Sequence, residues 1–399
     1  MNLVFIADAY PPMKTSGAVQ IRDLVAEFVK QGHGVTLLLP DANIRDDWQL
    51  NDHGKLQILR LKSPETKNVS YVRRAIAEYM LSGQIFRHLQ KSPLKNMQWD
   101  AIVWYSPTIF FGKLVQKLKA RSACPAYLIL RDIFPEWAVD MGLLGKGLIY
   151  RYFKSFEKLQ YRQADIIGVQ TPSNTQYFLS EHKDLDARVE VLPNWLSESA
   201  AAESSIRITA TKLSGRQIFV YTGNIGIAQG MDILIELARE YRDEPSSGFL
   251  FVGRGTAVER IKKLAASYQL ENILFYDEIP PEEIPGLLDQ CHVGLIALDP
   301  RHRNDNIPGK FLAYMQAGLP VLATINPGND LEAMIREHQV GEVVTDNSLK
   351  SLVAAAGQVI EAPERDAEMP ARCKTLCSEK FSASSAVKQI VASLENVKH

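Results

Sequence analysis

The chain has 399 residues, a length that predicts two or three domains at about 100–200 residues per domain. Hydrophobic residues make up 46% and charged residues 23% of it, a composition that excludes a disordered or fibrous chain. No apolar run reaches the ~18–20 residues that a membrane-spanning helix needs. The net charge is −1, but the two halves of the chain differ in charge. Residues 1–195 have 25 Lys and Arg against 19 Asp and Glu, so this half is basic. The remaining residues have 20 Lys and Arg against 27 Asp and Glu, so that half is acidic. The basic half suggests contact with an anionic group, such as a phosphate or a membrane surface.

The first half alternates short apolar runs, typical of buried strands, with stretches of helical period. The predicted strands are Leu3–Ile6, Val35–Leu39, Ala101–Trp104, Ala126–Leu130 and Ile166–Val169. A helix is predicted between the first two strands, and Gly32-His33-Gly34 marks its end. This βαβ pattern predicts a doubly wound parallel sheet.

Residues 197–216 are small and polar, which is the composition of a linker. The same alternation then begins again. It predicts strands at Ile218–Tyr221, Phe249–Val252, Ile273–Phe275, Val293–Leu298 and Val321–Thr324, and helices at Asp232–Tyr241, Ala257–Tyr268, Pro281–Gln290, Phe311–Gln316 and Asp330–His338. We therefore expect a second Rossmann-like domain, with ligands bound at the carboxyl ends of strands in a cleft between the two domains.

Glycine-rich loops follow the first strand of each predicted domain. Ser16 and Gly17 precede the first helix, where free N–H groups favour an anion. In the second half, Gly223-Asn224-Ile225-Gly226 follows a strand, and Gly253-Arg254-Gly255 forms a further corner with a cation. Glycines let a ligand approach the backbone closely, although plain β–α turns explain them equally well.

Residues 300–323, PRHRNDNIPGKFLAYMQAGLPVLA, are the most informative stretch. Arg301 and Lys310 flank a polar loop that contains Asp305, and a helix is predicted to begin beside Lys310. A lysine at a helix start, where the dipole already attracts an anion, is suited to binding a diphosphate. A solvated run of charges is the alternative interpretation.

The pattern GKFLAYMQAGLPVLA resembles the donor-site signature of the retaining glycosyltransferases of family four (GT4), which have the GT-B fold. The opening, ADAYPPMKTSGAVQIRDLVAEFVKQGHGVTLLLP, is similar to that family's start, and Leu130-Arg-Asp-Ile-Phe-Pro135 is one of several segments in family order. The branch with this Arg-Asp motif resembles bacterial O-antigen and capsule enzymes, including N-acetyl-L-fucosaminyl transferases. The resemblance implies two Rossmann-like domains: an acceptor- and membrane-facing domain at 1–196, and a nucleotide-sugar domain at 217–380. It also implies that a C-terminal helix at about 381–399 packs back on the first domain.

The carboxylates of the family pattern are only partly present. The two glutamates that the family carries eight residues apart match Asp305 and Ala313. The family's histidine in the first domain has no match because residues 89–181 contain no histidine, and Asp132 occupies that region. The resemblance implies that Asp305 contacts hydroxyls of the donor sugar and that Asp132 lies at the reaction centre.

The cations of the family pattern are reduced as well. The family's Arg and Lys in the glycine turn of the donor domain correspond to Asn224 and Gln229, whereas Lys310 is retained. We expect Lys310 to neutralise the leaving diphosphate, with Arg254 or Arg301 compensating for the missing cations.

The expected activity is that of a retaining, metal-independent hexosyltransferase that uses a nucleotide-diphosphate sugar, UDP-linked, as donor. The expected acceptor is a polyprenyl-diphosphate-linked sugar in O-antigen or capsule synthesis, and the transferred sugar is of the N-acetylated amino-deoxy type. No cofactor, required metal or nucleic-acid partner is expected. Because no second carboxylate is placed as a nucleophile, a same-face substitution assisted by the leaving phosphate is favoured over a double displacement.

Two other classes of function stay open. One is a different enzyme on the same fold, either a UDP-sugar epimerase or a glycogen-synthase-like polymerase. The other is a non-catalytic nucleotide-sugar-binding partner, which the residues Asn224, Gln229 and Ala313 suggest. A nicotinamide-dependent dehydrogenase is disfavoured because the chain lacks GxGxxG with a downstream acid.

Two basic amphipathic segments predict docking on the cytoplasmic face of the inner membrane. In Leu143–Arg162 a single acid, Glu157, accompanies five basic residues: Lys146, Arg151, Lys154, Lys158 and Arg162. The second segment, Tyr71–Lys95, combines arginines and lysines with an apolar stripe in the same way. The alternative is that both stripes pack on the sheet of the first domain, since a core stripe has the same period.

Overall fold

A computed structural model describes residues 1–13, 15–65, 71–140, 142–197, 202–299 and 307–397. The chain divides into two compact units, Met1–Pro193 with Ala383–His399, and Asn194–Ser382. We call these the first and the second domain. Within the described ranges, no helix is both long enough and apolar enough to cross a membrane.

The first domain is an eight-stranded sheet with helices around it. Its strands are β1 (Asn2–Ile6), β2 (Gly34–Asp41), β3 (Trp48–His53), β4 (Leu56–Lys62), β5 (Ala101–Tyr105), β6 (Ala126–Ile129), β7 (Ile166–Val169) and β8 (Arg188–Val191). Its helices are α1 (Ser16–Lys30), α2 (Tyr71–Leu89), α3 (Gly112–Ser122), α4 (Glu136–Asp140), α5 (Leu148–Tyr161), α6 (Pro172–Glu181) and, from the end of the chain, α14 (Ala383–Val397). The strand order is β3-β4-β2-β1-β5-β6-β7-β8, and only the β3–β4 pair is antiparallel.

The second domain is a six-stranded parallel sheet. Its strands are β9 (Gln217–Thr222), β10 (Ser247–Val252), β11 (Ile273–Tyr276), β12 (Val293–Ala297), β13 (Val321–Thr324) and β14 (Gly341–Val344). Its helices are α7 (Asp232–Glu240), α8 (Val258–Ser267), α9 (Ile284–Leu288), α10 (Gly309–Ala317), α11 (Asp330–His338), α12 (Leu349–Arg365) and α13 (Met369–Lys380). Short 3₁₀ turns lie at Ile208–Ala210, Ile227–Gln229 and Pro281–Glu283.

Both faces of the second sheet are buried, as expected of a parallel sheet covered by helices. Along β9, Ile218 and Val220 pack into one core cluster and Phe219 and Tyr221 into the other, because successive side chains of a strand point to opposite faces. The order β11-β10-β9-β12-β13-β14 reverses direction between β9 and β12. In such a sheet the ligand crevice lies beyond the carboxyl ends of these two strands. The predicted α/β class with two Rossmann-like domains is confirmed.

The expected linker at 197–216 differs from the structure. Its described part, residues 202–216, belongs to the second domain. Ile206, Ile208 and Leu213 are buried there, and the Ile208 N–H donates to Gln290 Oε1 at 2.9 Å. Three apolar side chains in a polar stretch are enough to anchor it, because each one removes its surface from water. At the other end of the second domain, the chain returns to the first domain through α14, whose contacts there include α1.

Candidate active site

A glycine turn follows β9 at the reversal point of the second sheet. Gly223 has φ of +110° and Gly230 of +54°, values that favour glycine because a side chain would strain the backbone. The Tyr221 hydroxyl donates to the Asn224 carbonyl oxygen at 2.7 Å and closes the start of the turn. The turn thus lies at the edge of the sheet where the ligand crevice is expected.

The neighbouring turn after β10 packs directly against the first one. The Ile225 N–H donates to the Arg254 carbonyl at 2.8 Å. Gly253 has φ of +159°, and a Cβ there would lie 1.8 Å from the Gly223 carbonyl oxygen. The two turns therefore meet backbone to backbone, which only glycine permits at Gly253.

Asn224 and Gln229 bind each other across the first turn. Asn224 Nδ2 donates to Gln229 Oε1 at 3.1 Å, and the same oxygen accepts from the Gly226 N–H at 3.0 Å. These two amides occupy the positions where the resembling family carries cations. In this chain they fix the conformation of the turn and add no charge to it.

Lys310 lies on the opposite side of the reversal point, in the first turn of α10. Its Nζ is 3.4 Å from the centroid of the Tyr221 ring, a cation–π contact. Its Cε is 3.9 Å from the position that a Cβ on Gly223 would take. Desolvation lowers the pKa of Lys310 well below its usual 10.5. An ammonium held in such a place gains by meeting an anion, because the anion offsets the penalty of burial.

The other candidates of the donor side are placed differently. The Arg254 guanidinium is 78% exposed and forms an ion pair with Glu278, with Nε 2.9 Å from Oε2. Its charge is therefore already balanced by a carboxylate. Arg301 and Asp305 lie outside the described residues, and their roles stay predictions.

Tyr314, which the sequence analysis missed, forms hydrogen bonds with the strands next to the site. Its hydroxyl shares its single proton between the carbonyl oxygens of Val220 and Leu295, at 3.1 and 3.3 Å, and accepts from the Thr222 N–H at 3.1 Å. It thus bridges β9 and β12 where their pairing ends, at Gly294 opposite Val220. Tyr314 follows Lys310 by four residues on one helix face, and this spacing is the sequence signal that points to it.

In the first domain, Asp132 follows β6 and lines a cavity of about 1,350 Å³. The side chain is exposed to this cavity, while partial desolvation raises the pKa of its carboxyl group and Arg131 opposes the rise. Arg131 is buried and donates to the carbonyl oxygens of Leu192 and Pro193, at 2.8 and 3.4 Å. Arg131 therefore fixes the loop backbone, and the carboxylate of Asp132 faces the cavity.

Ser16 and Gly17 begin α1 in the same domain. Thr15 is the cap residue, since its hydroxyl accepts from the Ala18 N–H at 3.3 Å. A Cβ on Gly17 would lie 3.7 Å from the Tyr105 ring at the end of β5. The structure thus places Ser16 and Gly17 at the reversal point of the first sheet, between β1 and β5, and their donor-binding role stays a prediction.

One predicted surface cation is part of a buried cluster instead. The Lys154 Nζ is 2.6 Å from Glu136 Oε1 and 2.6 Å from Glu157 Oε2, and Glu157 is fully buried. The Tyr150 hydroxyl donates to Glu136 at 3.0 Å. Lys154 is therefore not available to a membrane surface, because two carboxylates already hold its ammonium group.

No cluster of three or more His, Cys, Asp or Glu side chains suited to a metal ion occurs within the described ranges. The expectation that the reaction requires no metal stays a prediction.

Comparison with known proteins found a family match inside the second domain. Residues 204–375 match the model of the family described as glycosyl transferases group 1. This part of the chain is therefore similar to a group 1 glycosyltransferase domain. The match contains both glycine turns and the whole of α10, so Lys310 and Tyr314 lie inside the family domain.

Curated relatives are distant but extend beyond this domain. The chain is 26% identical over 388 residues to a putative colanic acid biosynthesis glycosyl transferase, WcaI, of Escherichia coli, covering 92% of this chain and 94% of WcaI. It is 25% identical over 239 residues to a probable glycosyltransferase, WbjE, of Pseudomonas aeruginosa. That second match spans 59% of this chain and 59% of the length of WbjE.

Solved structures agree on the fold. Anabaena HepE, solved in complex with UDP and glucose, superimposes with a TM-score of 0.66 at 14% identity, covering 99% of this chain and 100% of HepE. At this identity the likeness shows the fold alone, and the predicted GT-B fold is confirmed. The specific branch, the donor sugar and the acceptor belong to the proposal that follows.

Proposed function

We propose that the protein is a retaining glycosyltransferase that moves a sugar from a UDP-linked donor to a lipid-linked glycan of a bacterial surface polysaccharide. The observation that carries the proposal is the Lys310 ammonium over the Tyr221 ring, facing the Gly223 turn. This is a cation and a backbone cradle at the reversal point of a Rossmann-like sheet. The UDP bound to HepE and the colanic acid assignment of WcaI support the donor and the pathway class.

Each residue of the site then has a chemical task. As the bond from sugar to diphosphate breaks, negative charge grows on the phosphate oxygens, and Lys310, beside the glycine turn, stabilises it. The sugar meanwhile gains oxocarbenium character. Asp132 supplies negative charge for that centre, and Asp305 accepts hydrogen bonds from the donor hydroxyls. The leaving phosphate receives the acceptor proton on the same face, which preserves the anomeric configuration.

The direct test is product analysis with candidate UDP-sugars and a polyprenyl-diphosphate-linked sugar. We expect UDP release that depends on the acceptor and a product whose anomeric configuration matches the donor, read by NMR coupling constants. Inversion of configuration would contradict the retaining mechanism. A changed sugar without acceptor would identify an epimerase, and donor binding without transfer would identify a non-catalytic partner.

The acceptor is proposed to be reached from the membrane surface through α5 and its neighbours. Leu143, Leu148 and Ile149 are 71%, 82% and 63% exposed, so this end of the predicted stripe does not pack on the sheet. Lys146 and Arg151, beside them in sequence, are exposed as well. Exposed apolar side chains flanked by cations suit an anionic lipid surface, with about 1 kcal/mol from each cation.

The middle of the same stripe packs inside the protein. Phe156 contacts the rings of Tyr152, Phe110 and Tyr79, with centroids 5.0, 4.9 and 6.1 Å away. In α2, Ile85 and Leu89 are buried in the core of the first domain. The two interpretations of the stripes thus apply to different residues, because among the described side chains of the two segments the exposed large apolar ones lie in 143–149 and 76–80.

Flotation with liposomes tests the docking. We expect co-flotation with anionic vesicles at low salt and its loss in the double variant Lys146→Glu/Arg151→Glu, which spares the buried Lys154. Leu148→Ser should also weaken it, whereas Leu179→Ser, a 68% exposed leucine of α6, is the matched control. No co-flotation of the wild type would reject the docking and leave the sugar-transfer proposal standing.

A further inference from the structure

The loop that carries Asp132 leaves β6 in the middle of a run of parallel strands. β6 pairs with β5 on one side and with β7 on the other, and β8 pairs with β7. The carboxyl ends of parallel strands meet at one edge of the sheet, where ligands bind in folds of this class. Side chains at the ends of the neighbouring strands therefore lie within reach of the Asp132 loop.

Gln170 reaches this loop from the end of β7. It directly follows the strand and is 8% exposed, and its Nε2 donates to the Arg131 carbonyl oxygen. That oxygen belongs to the peptide unit that joins Arg131 to Asp132, and a peptide unit is planar. A hydrogen bond that fixes the oxygen therefore also fixes the amide nitrogen and the Cα of Asp132, from which the carboxylate side chain leaves.

The Arg131 side chain anchors the same loop beyond β8. Its Nη1 and Nη2 donate to the carbonyl oxygens of Leu192 and Pro193, at 2.8 and 3.4 Å. Arg131 is 6% exposed. It is thus held both by its side chain, at the end of β8, and by its own carbonyl, at the end of β7.

Tyr105, the last residue of β5, connects the loop to α1. Its hydroxyl donates to Gln20 Oε1 at 2.9 Å and is hydrogen-bonded to the Arg131 guanidinium. Burial raises the pKa of Tyr105 to about 12, so the hydroxyl keeps its proton at neutral pH. The Asp132 loop is therefore held from the ends of β5, β7 and β8.

We propose that Gln170 and Tyr105 are positioning residues, which hold the Asp132 carboxylate in place through Arg131. This assignment rests on the proposed function, in which Asp132 supplies negative charge to the sugar. A side chain that only satisfied a buried carbonyl group would contribute to stability and not to turnover. A reacting group displaced by ~1 Å, in contrast, can lower the rate about 100-fold.

Gln170→Met tests the proposal because it keeps the length of the side chain and removes the donor. Asn272→Leu is the matched control, since the buried Asn272 amide donates to the Ala238 carbonyl oxygen at 2.8 Å, at the amino end of β11. We expect both variants to lose stability in chemical denaturation. With a UDP-sugar and a polyprenyl-diphosphate-linked acceptor, Gln170→Met should lower kcat at least tenfold with the donor KM within twofold. Asn272→Leu should leave both within twofold of the wild type.

Titration of Asp132 tests its positioning without any turnover. The probe is ¹³C NMR of protein labelled at the aspartate carboxyl carbons, with the Asp132 signal identified by its loss in Asp132→Asn. Partial burial raises the pKa of this carboxyl group, so a displaced carboxyl group that gains solvent should titrate at lower pH. We expect the pKa of Asp132 to be lower in Gln170→Met than in the wild type, and unchanged in Asn272→Leu.

The two measurements separate this inference from the proposed function. An unchanged pKa of Asp132 in Gln170→Met, or a kcat within twofold of the wild type, would overturn the inference. If the wild type transfers no sugar, the proposed function fails and the NMR titration alone decides whether Gln170 positions Asp132. If Gln170→Met does not fold, Tyr105→Phe replaces it, because this variant removes only a hydroxyl group. It should lower kcat at least threefold and lower the pKa of Asp132, and no change in either quantity would overturn the inference.

Discussion

Replacing Lys310 by methionine should lower activity and raise stability at the same time. Methionine keeps an unbranched chain of similar length over the Tyr221 ring but removes the ammonium group. Because desolvation lowers the pKa of Lys310 well below 10.5, the free protein carries a group that its own fold disfavours in the charged form. The variant removes that penalty together with the positive charge that the leaving diphosphate requires.

The magnitudes follow from the geometry. One preorganised cation at a developing anion contributes about 2–4 kcal/mol to the transition state, which corresponds to about 30- to 1,000-fold in turnover. The cation–π contact at 3.4 Å stabilises the ammonium by only about 0.5–2 kcal/mol. It therefore offsets only part of the cost of burying the charged Lys310 side chain. Stability should therefore rise in Lys310→Met at neutral pH, although a purely structural lysine would lose stability.

The pH dependence has a definite sign. Between the lowered pKa of Lys310 in the folded chain and its usual value of 10.5, the unfolded chain binds more protons at this position. Stability of the wild type then rises as pH rises through this window, and this increment is absent in Lys310→Met.

Two assays check these expectations, UDP release under saturating substrates and chemical denaturation from pH 7 to 10. Lys350→Met, an exposed lysine of α12, is the control and should change neither quantity. Turnover of Lys310→Met within twofold of the wild type, or a clear loss of its stability at pH 7, would refute the reasoning.

Three further predictions concern other parts of the molecule. Asp132→Asn should depress turnover far more than donor affinity in steady-state kinetics, and a collapse of affinity with normal turnover of the bound complex would contradict its role. Gly253→Ala should destabilise the fold and abolish UDP binding in a thermal-shift assay, because its Cβ would lie 1.8 Å from the Gly223 carbonyl oxygen. The control is Gly357→Ala on α12, where the added Cβ meets open space. This control should raise the free energy of unfolding by about 0.5–1 kcal/mol. Burial raises the pKa of Glu157 to about 7, so the contribution of this group to the free energy of unfolding falls as pH rises from 4.5 to 7; Glu157→Gln should remove this contribution, and an unchanged profile would refute it.

Hydrophobic periodicity was sufficient to predict β1, β2 and β5–β7 of the first sheet and β9–β13 of the second. The predicted Ile166–Val169 and Val321–Thr324 coincide with β7 and β13, and Ala101–Trp104 falls one residue short of β5. Such strands are buried on both faces, so their sequence is a continuous apolar run bounded by polar loops. Elements with one exposed face gave no such signal. The hairpin of β3 and β4 was missed because β3, Trp48–His53, alternates mostly exposed polar residues at the edge of the sheet.

The site was predictable only where a residue type by itself indicates chemistry. Lys310 and the glycines were found because a cation and a flexible backbone are recognisable in any sequence. Tyr314 was missed because its function depends on three backbone groups of two strands that are distant in sequence. Lys154 was misassigned for the same reason, since its carboxylate partner Glu136 comes from a different helix.

The loss of two family cations and the conformation of the glycine turn have one physical explanation. Asn224 Nδ2 donates to Gln229 Oε1, which also accepts from the Gly226 N–H, so these two side chains hold the turn without any charge. Exposed cations contribute long-range charge that salt screens, and the two amides contribute none. We therefore expect donor binding to depend weakly on ionic strength. The electrostatic contribution is concentrated on Lys310, which is partly buried and so screened less.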